Sequence, residues 1–279
     1  MTDSRIPNTL SIAGLDPSGG AGILADVKAM SALETFACAV VAALTAQNTQ
    51  QVTDISPVSP AFVKSQIDTL MSDVRIDAVK IGMLGQAPVI DVTAQALAHW
   101  KPLHVVVDPV MVAKSGDLLL EQQAVGMLRE AMIPQATVLT PNLPEAGVLL
   151  SSRPVETAKE MRRVAERLRR LMPDDDRRWV LLKGGHLPGN ELIDMLHDGD
   201  ILIEFSSHRI QTQHTHGTGC TLSAAIAALL ARGHDVPEST RQARDYLLGA
   251  IKQSSALSVG HGHGPVHHFH RWWKNSTLQ

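Results

Sequence analysis

Apolar and polar positions along this chain follow two rhythms that alternate from end to end. Residues 8–13 (NTLSIA) form a short apolar run that leads through a glycine-rich loop into a helix over about 20–33. A run at 38–45, a short strand near 52–56 and a helix near 60–72 come next. Residues 77–82 (DAVKIG) predict a strand, 86–99 a helix, and 103–107 (LHVVV) another strand. A helix over about 120–131 precedes the strand-like 136–140 (ATVLT). Over 157–171, Ala158, Met161, Val164, Leu168 and Leu171 share one face, opposite arginines and glutamates that read as a solvated side. Residues 179–183 (WVLLK) are strand-like, and Asp198-Gly199-Asp200 turns a hairpin between 192–197 and 201–205. The stretch 221–232 (TLSAAIAALLAR) carries no charge before Arg232 and reads as a buried helix that stops at Gly233.

Strands alternating with helices predict an α/β fold, with a mostly parallel central sheet covered by helices on both faces. The Pro, Gly and Asp clusters are short and always separate periodic elements, and no repeat is visible. The expectation is therefore one domain over 1–279, without a large lid domain. In such sheets ligands bind at the carboxyl ends of the strands, and here the polar, glycine-rich segments follow strands.

Bulk properties narrow the partners. A net charge of −3 leaves no basic footprint for nucleic acid. The longest apolar runs, such as 36–44 (FACAVVAAL), fall short of the roughly 20 residues that span a bilayer, so no membrane partner is expected. The start MTDSRIPNTL lacks a basic segment followed by an apolar one, which makes the cytoplasm the expected location. Cys38 and Cys220 form neither a disulfide framework nor a multi-cysteine metal motif.

The most telling segment is His216-Gly217-Thr218-Gly219-Cys220, which runs straight into the uncharged helix. Its glycines and threonine place free backbone N–H groups at a helix N-terminus, which attracts anions. Cys220 lies in that first turn, where the helix dipole favours thiolate. An anion cradle beside an acid/base group suits phosphoryl transfer; a tight turn before a core helix is the plain alternative. The loop from Gly14 to Gly22 (GLDPSGGAG) matches neither a dinucleotide fingerprint nor a Walker loop, because Gly20 and Ala21 stand where Lys and Ser or Thr are required. Its glycines instead let backbone approach a flat ligand, and Asp26, one turn into the helix, could project a carboxylate into the cleft. Asp108 ends one strand, and Asn142 and Glu145 follow the next, spaced to face one side of a helical turn. Such oxygen ligands suit Mg²⁺, although either acid could simply cap a helix. Lys183, before Gly184-Gly185-His186, offers a cation for phosphate. His261, His263, His267, His268 and His270 lack cysteine partners and zinc-protease spacing, and read as structural or solvated.

The order GLDPSGGAG, ALTAQNT (43–49), VKIGML (79–84), VDPVM (107–111), TPNLPEA (140–146), LLKGGH (181–186) and HGTGC resembles the hydroxymethylpyrimidine/phosphomethylpyrimidine kinases of thiamine biosynthesis, within the ribokinase-like superfamily. The resemblance covers roughly 8–270 and includes the closing GHGHGPVHHF, which weakens the metal reading of the tail. It implies a ribokinase-like fold, ATP with Mg²⁺, and a homodimer. By motif, Gln47 would hydrogen-bond the aminopyrimidine edge, and Asp26, Met83 and Val110 would help line the pyrimidine pocket near Gly14. Asn142 and Glu145 would organise Mg²⁺ and phosphates with Asp108 close to the metal. Gly217, Thr218, Gly219 and Cys220 would form the anion hole. Cys220 stands where the wider superfamily commonly has an aspartate base, which argues against a sugar kinase. The 192–205 hairpin is the candidate flap. The expected activity is ATP-dependent phosphorylation of 4-amino-5-hydroxymethyl-2-methylpyrimidine and then of its monophosphate. A pyridoxal kinase on the same scaffold, or a non-catalytic pyrimidine-binding module, are the rivals.

Overall fold

A computed structural model describes residues 5–111, 122–153, 155–175 and 177–273. The strands are β1 (Asn8–Leu15), β2 (Phe36–Gln47), β3 (Val52–Pro57), β4 (Ala78–Ile81), β5 (His104–Val107), β6 (Val138–Leu139), β7 (Trp179–Leu182), β8 (Glu191–His197) and β9 (Leu202–His208). They form one sheet in the order β3-β2-β1-β4-β5-β6-β7-β8-β9. Pairing is parallel from β2 through β7 and antiparallel for β3 at one edge and for β8 and β9 at the other.

The central parallel strands are largely apolar because helices cover both faces, with Lys80 in β4 and Thr9 and Ser11 in β1 as buried polar exceptions. Val105 and Val107 of β5 enter one core while Val106, between them, enters the other. On the first face pack α2 (Pro60–Met71), α3 (Ala87–Trp100), α5 (Leu143–Leu149) and α6 (Ala158–Arg169), and on the second α1 (Gly22–Ala32) and α7 (Thr218–Ala231). The mostly parallel α/β sandwich read from the hydrophobic pattern is therefore the observed architecture.

Several elements differ in extent. The helix expected over 120–131 is described from α4 (Gln122–Met127), which widens into a π-turn at Leu128–Met132 and then a tight turn at Ile133–Gln135. Its first two residues lie outside the described ones. The hairpin runs further, to Glu191 and His208. A further long helix, α8 (Val236–Lys252), lies beyond the expected elements, because the face it buries carries Ser239, Thr240 and small alanines and so gives only a weak apolar stripe. Its start is nonetheless written in the chain: Asp235 accepts the N–H of Glu238 as N-cap, and Pro237 sits in the first turn. No described helix is long and apolar enough to cross a membrane.

The parallel strands bring Gly14, Gly82, Asp108, Thr140 and Lys183 to the carboxyl ends of β1, β4, β5, β6 and β7, on one side of the sheet.

Candidate active site

Two loops meet at the start of α7. Gly217 caps the helix at φ +74, and a Cβ there would lie 1.8 Å from the carbonyl oxygen of Gly20. A Cβ on Gly20 would in turn lie 2.2 Å from the His216 ring. Only glycines allow the 14–22 loop and the 216–220 turn to touch in this way. The contact is locked by a hydrogen bond: His216 Nε2 lies 2.7 Å from Asp16 Oδ2, and Asp16 also accepts from the Ser18 amide and hydroxyl and from the Ala21 amide. Burial works against the Asp16 charge, but hydrogen bonds from His216 and Ser18 outweigh it and hold the carboxyl below the usual range.

Beside the turn sits a buried charge cluster. Lys183 Nζ donates to Asp108 Oδ1 at 2.9 Å, and Thr140 and Ser223 hydroxyls donate to the same carboxylate at 3.1 and 3.3 Å. Burial opposes this charge too, and Lys183 and Lys80 keep the Asp108 carboxyl low. Gly219 faces the pair: a Cβ there would stand 3.4 Å from Lys183 Nζ and 3.6 Å from Asp108 Oδ2. Asn142 and Glu145 form a reciprocal capping box on α5, the Glu145 carboxylate accepting the Asn142 N–H at 2.7 Å and the Asn142 side chain the Glu145 N–H at 2.9 Å. The capping alternative is thus realised, and it coexists with a place at the site, since both residues line the same cleft. Burial, reinforced by the negative field of Asp108 and opposed by Lys183, pushes the Glu145 carboxyl up to about 7.

Beneath Cys220 lies a second ion pair. Lys80 Nζ bonds both oxygens of Asp26, at 2.9 and 2.8 Å, and the Ser11 hydroxyl donates to Asp26 at 2.6 Å. Lys80 and Asp26 are both fully buried. Lys80 reaches the cleft, whereas Asp26 does not line it, so the carboxylate expected to project into the pocket instead clamps an ammonium under its floor. Cys220 also departs from expectation. Burial, with the nearby carboxylates of Asp26 and Asp108, pushes its thiol up to about 11 against the pull of Lys80 and a hydrogen bond from the Gly22 N–H. The helix terminus does favour thiolate, but loss of water outweighs it.

The cleft encloses about 670 Å³ and follows the strand order. Gly14 at the end of β1, Thr45 and Gln47 at the end of β2, Met83 after β4 and Val110 after β5 line one part of it. Asp108, Asn142, Glu145, Lys183 and the 217–220 turn come next. Leu192, Ile210, Leu247, Leu248 and Ile251 form an apolar end between the β8–β9 hairpin and α8. All expected site residues except Asp26 therefore line one cleft. The hairpin is no separate flap: β8 pairs with β7, and Asp194 accepts from the Gly184 N–H and from Arg244, both at 2.9 Å. The sequence pattern assigns no role to Lys80, Asp16 or Thr45 and reads His216 only as the start of the 216–220 turn, not as the partner of Asp16; a lysine inside an apolar strand is the signal for the first of these.

The tail histidines are dispersed. His268 is buried against the Thr221 hydroxyl at 3.1 Å, and burial pushes its ring down to about 3. His263 donates its backbone N–H to the Thr49 carbonyl. Among the described residues no three His, Cys, Asp or Glu side chains cluster to hold a metal.

The phosphomethylpyrimidine kinase family model matches residues 16–267. The chain is 47% identical to the hydroxymethylpyrimidine/phosphomethylpyrimidine kinase of Escherichia coli strain K12, over 95% of this chain and 98% of that one. Among solved structures, Bacillus subtilis pyridoxal kinase in complex with ADP superposes with a TM-score of 0.86 at 32% identity, covering 95% of this chain and 98% of the other. Phosphomethylpyrimidine kinase from Clostridium difficile 630 gives 0.77 at 38% identity, covering 88% and 100%.

Proposed function

The chain belongs to the phosphomethylpyrimidine kinase family, and we propose that it phosphorylates 4-amino-5-hydroxymethyl-2-methylpyrimidine with ATP, and then the resulting monophosphate, as one domain. The observation that carries this reading is the convergence, in one cleft, of the α7 N-terminus with Lys183, Asp108 and Glu145. Backbone N–H groups and a lysine aimed at one point stabilise the charge on a transferring phosphoryl group. In the first step the hydroxymethyl oxygen forms a bond to the γ-phosphorus, the bond from that phosphorus to the bridging oxygen breaks, and ADP leaves.

The strand order supports a division of the cleft. Gln47 meets the aminopyrimidine edge with Gly14, Met83 and Val110 around the ring, and the apolar end at Leu192, Leu247 and Ile251 takes the adenine. Asn142, Lys183 and Thr218 hold phosphates between them. Asp108 and Glu145 supply the protein's part of a Mg²⁺ site. Two buried carboxylates alone do not cage an ion, but they fit Mg²⁺, which keeps waters and takes one or two carboxylates together with phosphate oxygens. When bound, Mg²⁺ neutralises phosphate charge.

Cys220 remains the acid/base group, with a changed condition. A thiol held at about 11 is protonated at neutral pH, so only its ionised minority accepts the hydroxymethyl proton. Lys80, kept charged by Asp26, is the cation that favours that form. A cytoplasmic homodimer completes the proposal, and sedimentation velocity tests the dimer.

A second reading is favoured by one observation: Staphylococcus aureus pyridoxal kinase in complex with AMP-PCP and pyridoxal superposes with a TM-score of 0.87 at 29% identity, covering 96% of each chain. A coupled assay of ADP release with both pyrimidines and the B6 vitamers tests the two. Turnover of the pyrimidines upholds the first reading, turnover of pyridoxal alone the second, and ligand binding without turnover overturns both.

A further inference from the structure

We propose that Thr45 is a specificity-determining positioning residue: its hydroxyl supports the Gln47 amide in either of two orientations, so that the pocket can read a ring edge carrying an amine or one carrying an oxygen. This rests on the reading of Gln47 as the group that meets the ring edge. Thr45 and Gln47 are two apart at the end of β2, where the register with β3 shifts between Ala46 and Gln47, and their side chains meet directly. Both line the cleft, Thr45 being only 8% exposed.

The Thr45 hydroxyl lies 3.1 Å from Gln47 Oε1 and 2.9 Å from the carbonyl oxygen of Leu15, the last residue of β1. A hydroxyl has one proton and two lone pairs. With the Gln47 oxygen turned toward Thr45, that proton is shared between two acceptors. The amide then presents its remaining lone pair and its N–H in a fixed order. That order matches the amine and adjacent ring nitrogen of a 4-aminopyrimidine, as a Gln side chain pairs with an adenine edge. With the amide reversed, the Thr45 proton goes wholly to Leu15 and the Thr45 oxygen accepts from the Gln47 N–H. The oxygen of Gln47 is then traded for a donor, which suits a ring such as a 3-hydroxypyridine that carries an oxygen where the pyrimidine carries its amine. Because the Leu15 carbonyl stands within reach, neither orientation strands the hydroxyl proton. A valine at position 45 would support neither.

The test is steady-state kinetics with hydroxymethylpyrimidine, and with pyridoxine as substrate or competitive inhibitor, on wild type, Thr45→Val, Thr45→Ser and Gln47→Ala. The expected result is that Thr45→Val raises the pyrimidine KM and weakens pyridoxine binding, each by roughly three- to tenfold, the scale of one hydrogen bond. The KM for ATP and the kcat should stay near wild type, and Thr45→Ser should restore both rings together. Loss confined to one ring would mean that the amide has a fixed orientation and overturn the inference. So would an unchanged Thr45→Val enzyme, or a wild type that pyridoxine does not inhibit. A Gln47→Ala protein with an unaltered pyrimidine KM would overturn the reading of Gln47 itself, a result distinct from any seen at Thr45.

Discussion

Gly217 and Gly20 meet so closely that a Cβ on Gly217 would lie 1.8 Å from the Gly20 carbonyl oxygen. The anion cradle at the head of α7 is therefore built against the loop that follows β1, and the shape of one depends on the other. Gly217→Ala forces a side chain into a left-handed conformation at φ +74 as well as into that carbonyl. The strain alone costs about 1–3 kcal/mol. Thermal unfolding should shift down accordingly, and kcat should fall for both phosphorylation steps together. Full kcat in a folded Gly217→Ala protein would remove this turn from the site.

The two half-reactions separate the roles of Cys220. The first nucleophile is an alcohol whose proton must leave, where a general base is typically worth about 10²–10⁴-fold. The second is a phosphate monoester with a second pKa near ~6, already ionised at neutral pH. Cys220→Ala should slow the first step far more than the second. In wild type the first step should also quicken as pH rises toward about 11, because the thiolate fraction grows. Assaying each step separately decides this; equal loss in both would show that Cys220 only shapes the cradle.

Glu145 predicts a pH dependence of nucleotide binding. With its carboxyl held at about 7, the ionised form that assists Mg²⁺ is only partly populated at neutral pH. The KM for ATP should drop between pH 6 and 8 in wild type and stay flat in Glu145→Gln. That variant keeps an oxygen to cap the Asn142 N–H, so it should fold, turn over slowly, and recover in part with added Mg²⁺. Stability carries the opposite sign. A carboxyl whose folded pKa is raised from 4.5 to about 7 binds its proton more tightly in the folded state, so its contribution is complete below 4.5 and is lost as pH rises through 7. Denaturant titrations across that window should show a flatter pH slope for Glu145→Gln.

The Lys80–Asp26 pair makes a prediction about folding. Asp26→Asn leaves a fully buried ammonium without its counter-charge, and removing one partner of a buried pair costs about 3–5 kcal/mol. The double substitution Asp26→Asn with Lys80→Met removes both charges and should cost less than Asp26→Asn alone. Urea denaturation of the variants measures this directly, and a double variant less stable than Asp26→Asn would overturn the account.

Much of this was legible along the chain. The period of apolar residues identified nearly every strand and most helices, because both faces of a parallel sheet demand continuous apolar runs and its helices demand a stripe. The strand-end positions of Asp108, Asn142, Glu145, Lys183 and the 216–220 turn were also readable, since polar and glycine-rich segments interrupt the pattern where strands stop. The helix α8 is not legible as an apolar stripe because its buried face includes Ser239, Thr240 and the small Ala243 and Ala250, although Asp235 and Pro237 mark its start. Asp26 was misplaced because its helical register gives the direction of a side chain but not what stands in front of it, and Lys80 stands there.

The sequence by itself determined the α/β class, the sites where backbone must come close, and the inventory of groups able to handle phosphate. Those follow from local rules: periodicity, capping and the conformations open to glycine. Only the tertiary structure decided the strand order, and with it which loops share a cleft. It alone decided the charge states too. Cys220 is a thiol at about 11 and Glu145 a carboxyl at about 7 because of the burial and neighbouring charges that folding imposes, through residues as far apart in the chain as Asp26, Asp108 and Lys183. Proton affinity depends on solvent and on charges within a few ångströms, and no spacing along a chain specifies either.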